Sequence, residues 1–160
     1  MTRAWILAAV LSAGGAFGAA AQDTTMSFFV TSQGPGKGAN LGGLEGADSH
    51  CQALAEAAGV TGPKTWRAYL STNEVNAKDR IGSGPWYNAH LQLVANNVAE
   101  LHARSGDAAL FVDERGRRIN GQWTGSPAPV EHDILTGSNA DGTVLPGMTC
   151  SDWTSDSASV

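Results

Sequence analysis

Asn40-Leu41-Gly42-Gly43-Leu44-Glu45-Gly46-Ala47-Asp48-Ser49-His50-Cys51-Gln52-Ala53-Leu54-Ala55 is the stretch on which the fold turns. A glycine-rich lead-in passes into a segment whose apolar residues Cys51, Leu54, Ala55 and Ala58 recur at i, i+3, i+4 and i+7, the spacing of one helical face. The spacing predicts a helix over about Gly46 to Ala58, with Gly59 where helices commonly stop. Asp48 falls in the expected first turn, where a carboxylate suits the positive end of the helix dipole. His50 is placed on the solvent side. A strand, a loop and then a cysteine-bearing helix describe the entry to a small disulfide-type domain.

Working outward towards the N-terminus, Met26-Ser27-Phe28-Phe29-Val30-Thr31 is a short run rich in aromatic and β-branched residues, ended by Gln33-Gly34-Pro35-Gly36. It reads as a first strand. Before it, Met1 to Ala21 has a basic start at Arg3, an apolar run from Ala4 to Phe17 and the small residues Ala19-Ala20-Ala21, the layout of a cleavable secretory signal. About 14 apolar residues diluted by Ser12, Gly14 and Gly15 fall short of the roughly 20 that a spanning helix needs. The domain plan is therefore a signal peptide over 1–21 and one domain over 22–160, in a secreted or periplasmic protein with no membrane span after cleavage.

Towards the C-terminus, Trp66, Ala68 and Leu70 alternate with Arg67, Tyr69 and Ser71, which predicts a half-buried strand pairing near a sheet centre. Asn76 lies three residues before Asp79, so one helical turn ending by Gly82 is expected. Gly84-Pro85-Trp86-Tyr87-Asn88 reads as a turn, Leu91 to Ala95 as a short strand and Val98 to His102 as a further helical turn. Leu110-Phe111-Val112 and Arg117-Arg118-Ile119 flank Asp113-Glu114-Arg115-Gly116 as a tight hairpin. From Asn120 to Pro146 the chain is irregular, and long ordered loops of this kind often carry function.

Composition agrees with one loop-rich α+β domain. The chain has 42% hydrophobic residues and 20 glycines, and no fixed-period repeat. Its net charge is −5, or −6 once Arg3 is removed, which offers no broad basic footprint for nucleic acid.

The run at 40 to 51, Trp66 to Thr72, Asp79-Arg80-Ile81-Gly82, Gly84 to Asn88, His132-Asp133-Ile134-Leu135-Thr136-Gly137 and Cys150 to Ser155 together resemble bacterial secreted lectin-like proteins of the C-type lectin-like superfamily, related in fold to endostatin. The resemblance covers nearly all of the chain after the signal. It implies a helix near the N-terminus packed on small antiparallel sheets, with a long loop region as the ligand-binding end. It further implies that Cys51 matches the superfamily's first-helix cysteine, bonded to one in the final strand. Cys150 matches a cysteine that opens a late strand and bonds to the following loop. No residue after Val160 supplies either partner, so on this reading the final strands are missing.

Cysteine count alone favours a different pairing. A Cys51–Cys150 bond would close a loop of about 100 residues, worth roughly 4.7 kcal/mol in the chain-entropy model, and an oxidising compartment would favour it. The resemblance favours two separate disulfide-type cysteines.

The candidate ligand-binding residues are Trp123, Glu131, Asp133, Asn139 and Asp141. With Asp152, the four acidic and amide side chains offer the hard oxygens that calcium takes, so calcium is the cofactor to test. The turn Asn139-Ala140-Asp141-Gly142 fails as an EF-hand, whose first and twelfth positions would be Gly137 and Met148. The superfamily's sugar-binding Glu-Pro-Asn triplet is absent, and a solvated acidic loop is the preferred reading. His50, His90, His102 and His132 have no zinc-ligand spacing. Arg115, Arg117 and Arg118 read as a solvated cluster, and Trp66, Trp86 and Trp153 as packing residues. Trp123, set among Gly121, Gln122 and Thr124, is a candidate sugar-stacking platform.

A hydrolase can be built on Glu131 and Asp133, since i and i+2 of a strand lie about 7 Å apart on one face, inside the range of an inverting glycosidase. The resemblance places His132-Asp133 in a structural loop, and no paired nucleophile stands out. The expected function is a secreted, non-enzymatic lectin-type recognition module that binds carbohydrate or an extracellular protein through the loops between Asn120 and Asp152. A periplasmic hydrolase and a structural envelope protein are the alternatives.

Overall fold

A computed structural model describes residues 25–104, 107–121 and 123–157. The expected signal peptide lies outside these. The order of elements is α1 (Gly43–Ala57), α2 (Ala77–Arg80), β1 (Trp86–Tyr87), β2 (Leu93–Ala95), α3 (Val98–Ala103) and a last single turn over Cys150–Trp153. With β1 and β2 paired antiparallel, the class is α+β. Among the described residues no helix is long and apolar enough to cross a membrane.

Helix α1 starts three residues earlier than the periodicity predicts, and its lead-in explains why. Gly42 caps the helix at φ 77°, in the left-handed region that glycine enters without a Cβ penalty. A Cβ on Gly46 would overlap the carbonyl oxygen of Leu41, so this position admits only glycine as the chain folds back over its first turn. The buried face is Ala47, Leu54 and Ala55, with Cys51 half-buried beside it. Asp48 is thereby moved beyond the first turn, and its carboxylate works sideways. It accepts from Ala68 N (2.8 Å) and pairs with Arg80 Nη2 (2.8 Å) and Arg67 Nη1 (3.4 Å).

That bond bears on the segment expected to be a central strand. Residues 66–72 bury Ala68 and Leu70 and expose Arg67, as the alternation requires, but they join no ladder. Two of their amides are taken by helix side chains, Trp66 N donating to Gln52 Oε1 and Ala68 N to Asp48 Oδ1, while Leu70 N turns back to Ala68 O and Ser71 N reaches Thr136 O. The first strand is likewise extended, and among the described residues it carries one bridge, Val30 to Asp113. The expected hairpin reduces to a turn closed by the bridge Val112 to Arg118, with the Asp113 carboxylate accepting from Arg115 N, Arg117 N and Arg117 Nε.

The short helices fall where expected. Asn97 caps α3 by accepting from Glu100 N. Asn76 precedes α2, but its side chain donates to Asp79 Oδ2 rather than capping the backbone.

Among the described residues, apolar packing divides into two clusters instead of one core. The first joins Ala47, Ala68, Leu70 and Trp153, with Leu41, Leu44, Cys51 and Cys150 against it. The second joins Trp86, Val94 and Ala95, with Phe28, Ile81 and Phe111 against it. A cleft of about 1380 Å³ has lining residues from both, among them Ala47, Cys51, Phe28 and Trp86. Trp66 and Phe29, both on its lining, pack ring against ring with centroids 4.8 Å apart. His50, expected on the solvent side, is half-buried on the rim, its Nε2 2.8 Å from Gln33 O.

Candidate functional site

The long loop region is held from beneath by Ser71. This residue is fully buried, and each of its polar groups is used. Its N–H donates to Thr136 O (2.9 Å), and its carbonyl accepts from Trp153 Nε1 (2.7 Å). Its hydroxyl accepts from Ala77 N (2.9 Å) and shares a hydrogen with Ser138 Oγ (2.7 Å). One serine thus ties α2, the loop and the last turn together, satisfying groups that would be costly to bury unpaired.

Above it, Asn139 to Thr143 forms a tight turn bridged between Ser138 and Val144. Asn139 Nδ2 donates to Thr143 Oγ1 and Val144 O, while Asp141 Oδ1 accepts from Thr143 N and Thr143 Oγ1. The bonds from Thr143, with Lys78 nearby, hold the Asp141 carboxyl below its ordinary pKa. Both candidate ligands are therefore engaged in shaping the turn. Asn76 Oδ1 accepts from Val144 N and fastens the turn to the start of α2.

Glu131 and Asp133 line the cleft, as does Ala140 of that turn, but share no hydrogen bond with Asn139 or Asp141. Asn120 Nδ2 donates to Glu131 Oε2 (3.0 Å), and the Asp133 carboxylate, 93% exposed, meets His132 Nδ1 (3.0 Å). One side of the Trp123 ring faces the Arg118 guanidinium, 5.6 Å from its centroid, where a sugar would have to displace a cation–π contact. The five candidates thus divide among Trp123 beside Arg118, the Glu131–Asp133 rim and the Asn139–Asp141 turn. Among the described residues no three His, Cys, Asp or Glu side chains form a group that could hold a metal ion.

Sequence reasoning missed the loop's apolar side chains. Of the exposed large hydrophobic residues, Val130 (64%), Ile134 (50%), Leu135 (66%), Leu145 (38%) and Met148 (60%) all fall between 130 and 148. Leu145 N donates to Gly137 O and Met148 N to Leu145 O, so the 134–137 and 145–148 segments lie side by side. Scattered exposed leucines are ordinary, whereas these five fall within one pinned loop region. Their only sequence signal was large apolar residues with no helical or strand period.

The segment that follows is held in an uncommon conformation. Cys150, Ser151, Asp152 and Trp153 have φ of 49°, 52°, 53° and 67°, a left-handed turn without glycine. The resemblance implies a late strand opening at Cys150; a left-handed turn opens there instead. Asn73 N and Nδ2 donate to Asp152 Oδ1, Leu41 N donates to Trp153 O, and the Trp153 ring is buried.

Cys51 and Cys150 are both free thiols. Burial, helped by the Asp48 charge and opposed by Arg80, pushes the Cys51 thiol up to about 11. Compared with known proteins, the chain matches no family model and no curated protein.

Proposed function

We propose that this is a non-enzymatic recognition module of the C-type lectin-like kind, exported from the cell, which binds the surface of an extracellular protein through the loop face between Val130 and Met148. The observation that carries the reading is the group of exposed apolar side chains on a loop fixed from beneath by Ser71. A rigid face loses little entropy on binding, and burying what is exposed of Met148 and Leu145 in a partner contributes about 1–2 and about 0.6–1 kcal/mol respectively. Carbohydrate is the second ligand class, and it would be met on the polar rim at Glu131 and Asp133.

The proposed fold rests on the motifs from Asn40 to Ser155 and on their order: a cysteine-bearing helix, a small antiparallel pair and a long loop region. Binding of the exported protein to arrays of extracellular proteins and of glycans, with and without EDTA, tests the reading. Protein binding that survives chelation and falls at least tenfold in a Leu145→Ser, Met148→Ser variant supports the loop face. Binding unchanged in that variant, silence on both arrays, or calcium-dependent glycan binding alone refutes it.

A further inference from the structure

The cleft between the two apolar clusters is lined along one wall by consecutive residues 27–31 and along another by 65–70. Neighbouring residues of an extended chain point to opposite faces. A cavity lined by odd and even residues alike therefore opens on the backbone edge, where N–H and C=O groups project. Ser27 N and Phe28 N donate to Tyr87 O and Val30 N to Val112 O, while Trp66 N and Ala68 N donate to the side chains on α1. Among the described residues, the intervening N–H groups of Phe29, Thr31, Arg67 and Tyr69 have no hydrogen-bond partner. Unpaired edges of this kind are templates for another strand.

We infer that the cleft is an acceptor site for an extended segment of a separate polypeptide, bound as an added strand along the edges of residues 27–31 and 65–70. The hydrogen-bonding pattern selects this occupant. A lipid or other apolar small molecule would fill the volume and leave both rows of amides unsatisfied, whereas a polypeptide backbone presents carbonyls at the matching repeat. Size agrees. A strand residue occupies about 3.3 × 4.8 × 10 Å, or roughly 160 Å³, so 1380 Å³ admits about eight residues. The flanking side chains Phe28, Phe111 and Leu70 call for apolar residues at alternate positions of the guest. Ile134 and Leu135 of the proposed loop face share this lining but Leu145 and Met148 do not, so the Leu145→Ser, Met148→Ser variant and the amide-exchange test of the edges can fail separately.

Amide hydrogen exchange on the full chain is the test. The probe is a blocked octapeptide of alternating threonine and valine with a lysine at each end, and its control is the same peptide with every backbone amide between the ends N-methylated. Added to millimolar concentration, the plain peptide is expected to slow exchange at Phe29, Thr31, Arg67 and Tyr69 at least tenfold, and the methylated peptide is not. A Thr31→Pro variant, lacking one edge donor, should bind the plain peptide at least fivefold more weakly with an unchanged near-ultraviolet circular dichroism spectrum. No slowing with the plain peptide, or equal slowing with the methylated one, overturns the proposal. Should the proline variant fail to fold, the peptide comparison still decides.

Discussion

Replacing Asp48 by alanine should cost about 4 kcal/mol of stability, a magnitude that its partners set. The carboxylate accepts from Ala68 N and faces Arg80, whose side chain is only 8% exposed and also donates through Nη1 to Ala68 O (2.6 Å). Removing it strands a buried guanidinium, at about 3–5 kcal/mol, and an unsatisfied amide, at about 1–3 kcal/mol. Relaxation and water entry overlap these terms, so a loss of about 4 kcal/mol is expected against a total domain stability of roughly 5–15. At a urea dependence near 2 kcal/mol per molar, the midpoint falls by about 2 M. The double variant Asp48→Ala, Arg80→Met removes the stranded charge and should be about 2 kcal/mol more stable than Asp48→Ala alone. Equilibrium urea unfolding followed by tryptophan fluorescence measures both. A loss below about 1 kcal/mol in the single variant, or strict additivity in the double, would refute the reasoning.

Trp153→Phe keeps an apolar ring but loses the buried Nε1 bond to Ser71 O, and thermal unfolding should show a loss of about 1–2 kcal/mol. Ser151→Gly, at φ 52° and exposed, should raise stability by about 0.5–1 kcal/mol, and a decrease would show that the left-handed turn carries no strain. Cys51, isolated in a Cys150→Ser variant, should ionise near pH 11 by thiolate absorbance at 240 nm. Because its folded pKa is raised from 9.0, the neutral thiol's contribution is complete below the unfolded pKa and lost as pH rises from about 9 through about 11; Cys51→Ala should flatten that slope. Asn97→Ala removes the cap on α3 and should cost about 1 kcal/mol, with earlier exchange of the Glu100 amide.

How much of this was legible in the sequence depends on the kind of order involved. Helix α1 could be read because its apolar spacing and its glycines are local causes acting on local structure; its start was misplaced because Gly42 caps it before the apolar periodicity begins. Residues 66–72 show the limit. Alternation marks which side is buried, and Ala68 and Leu70 are buried, yet alternation carries no information about what hydrogen-bonds the backbone. The amides of Trp66 and Ala68 went to Gln52 and Asp48, residues whose charge and polarity gave no hint of that duty. Asn139 and Asp141 read as possible ligands because oxygen-rich turns and oxygen-rich sites use the same residues; only the bonds from Thr143 distinguish them.

Two departures from local rules fall next to each other in the chain. Large apolar side chains stand exposed at Leu145 and Met148, the chain enters a left-handed turn two residues later, and no glycine eases it. Each costs free energy that burial of Trp153 and the bonds to Ser71, Leu41 and Asn73 must offset. A scaffold selected for stability alone would place glycine at 151 and polar residues at 145 and 148. Violations of local preference gather where a binding surface imposes its own demands. Their coincidence beside the Ser71 anchor is therefore an argument for the proposed loop face, and the left-handed turn adds to it something that the exposed area alone does not. It also explains why Ser151→Gly should stabilise the fold yet weaken any binding that depends on the placement of Met148.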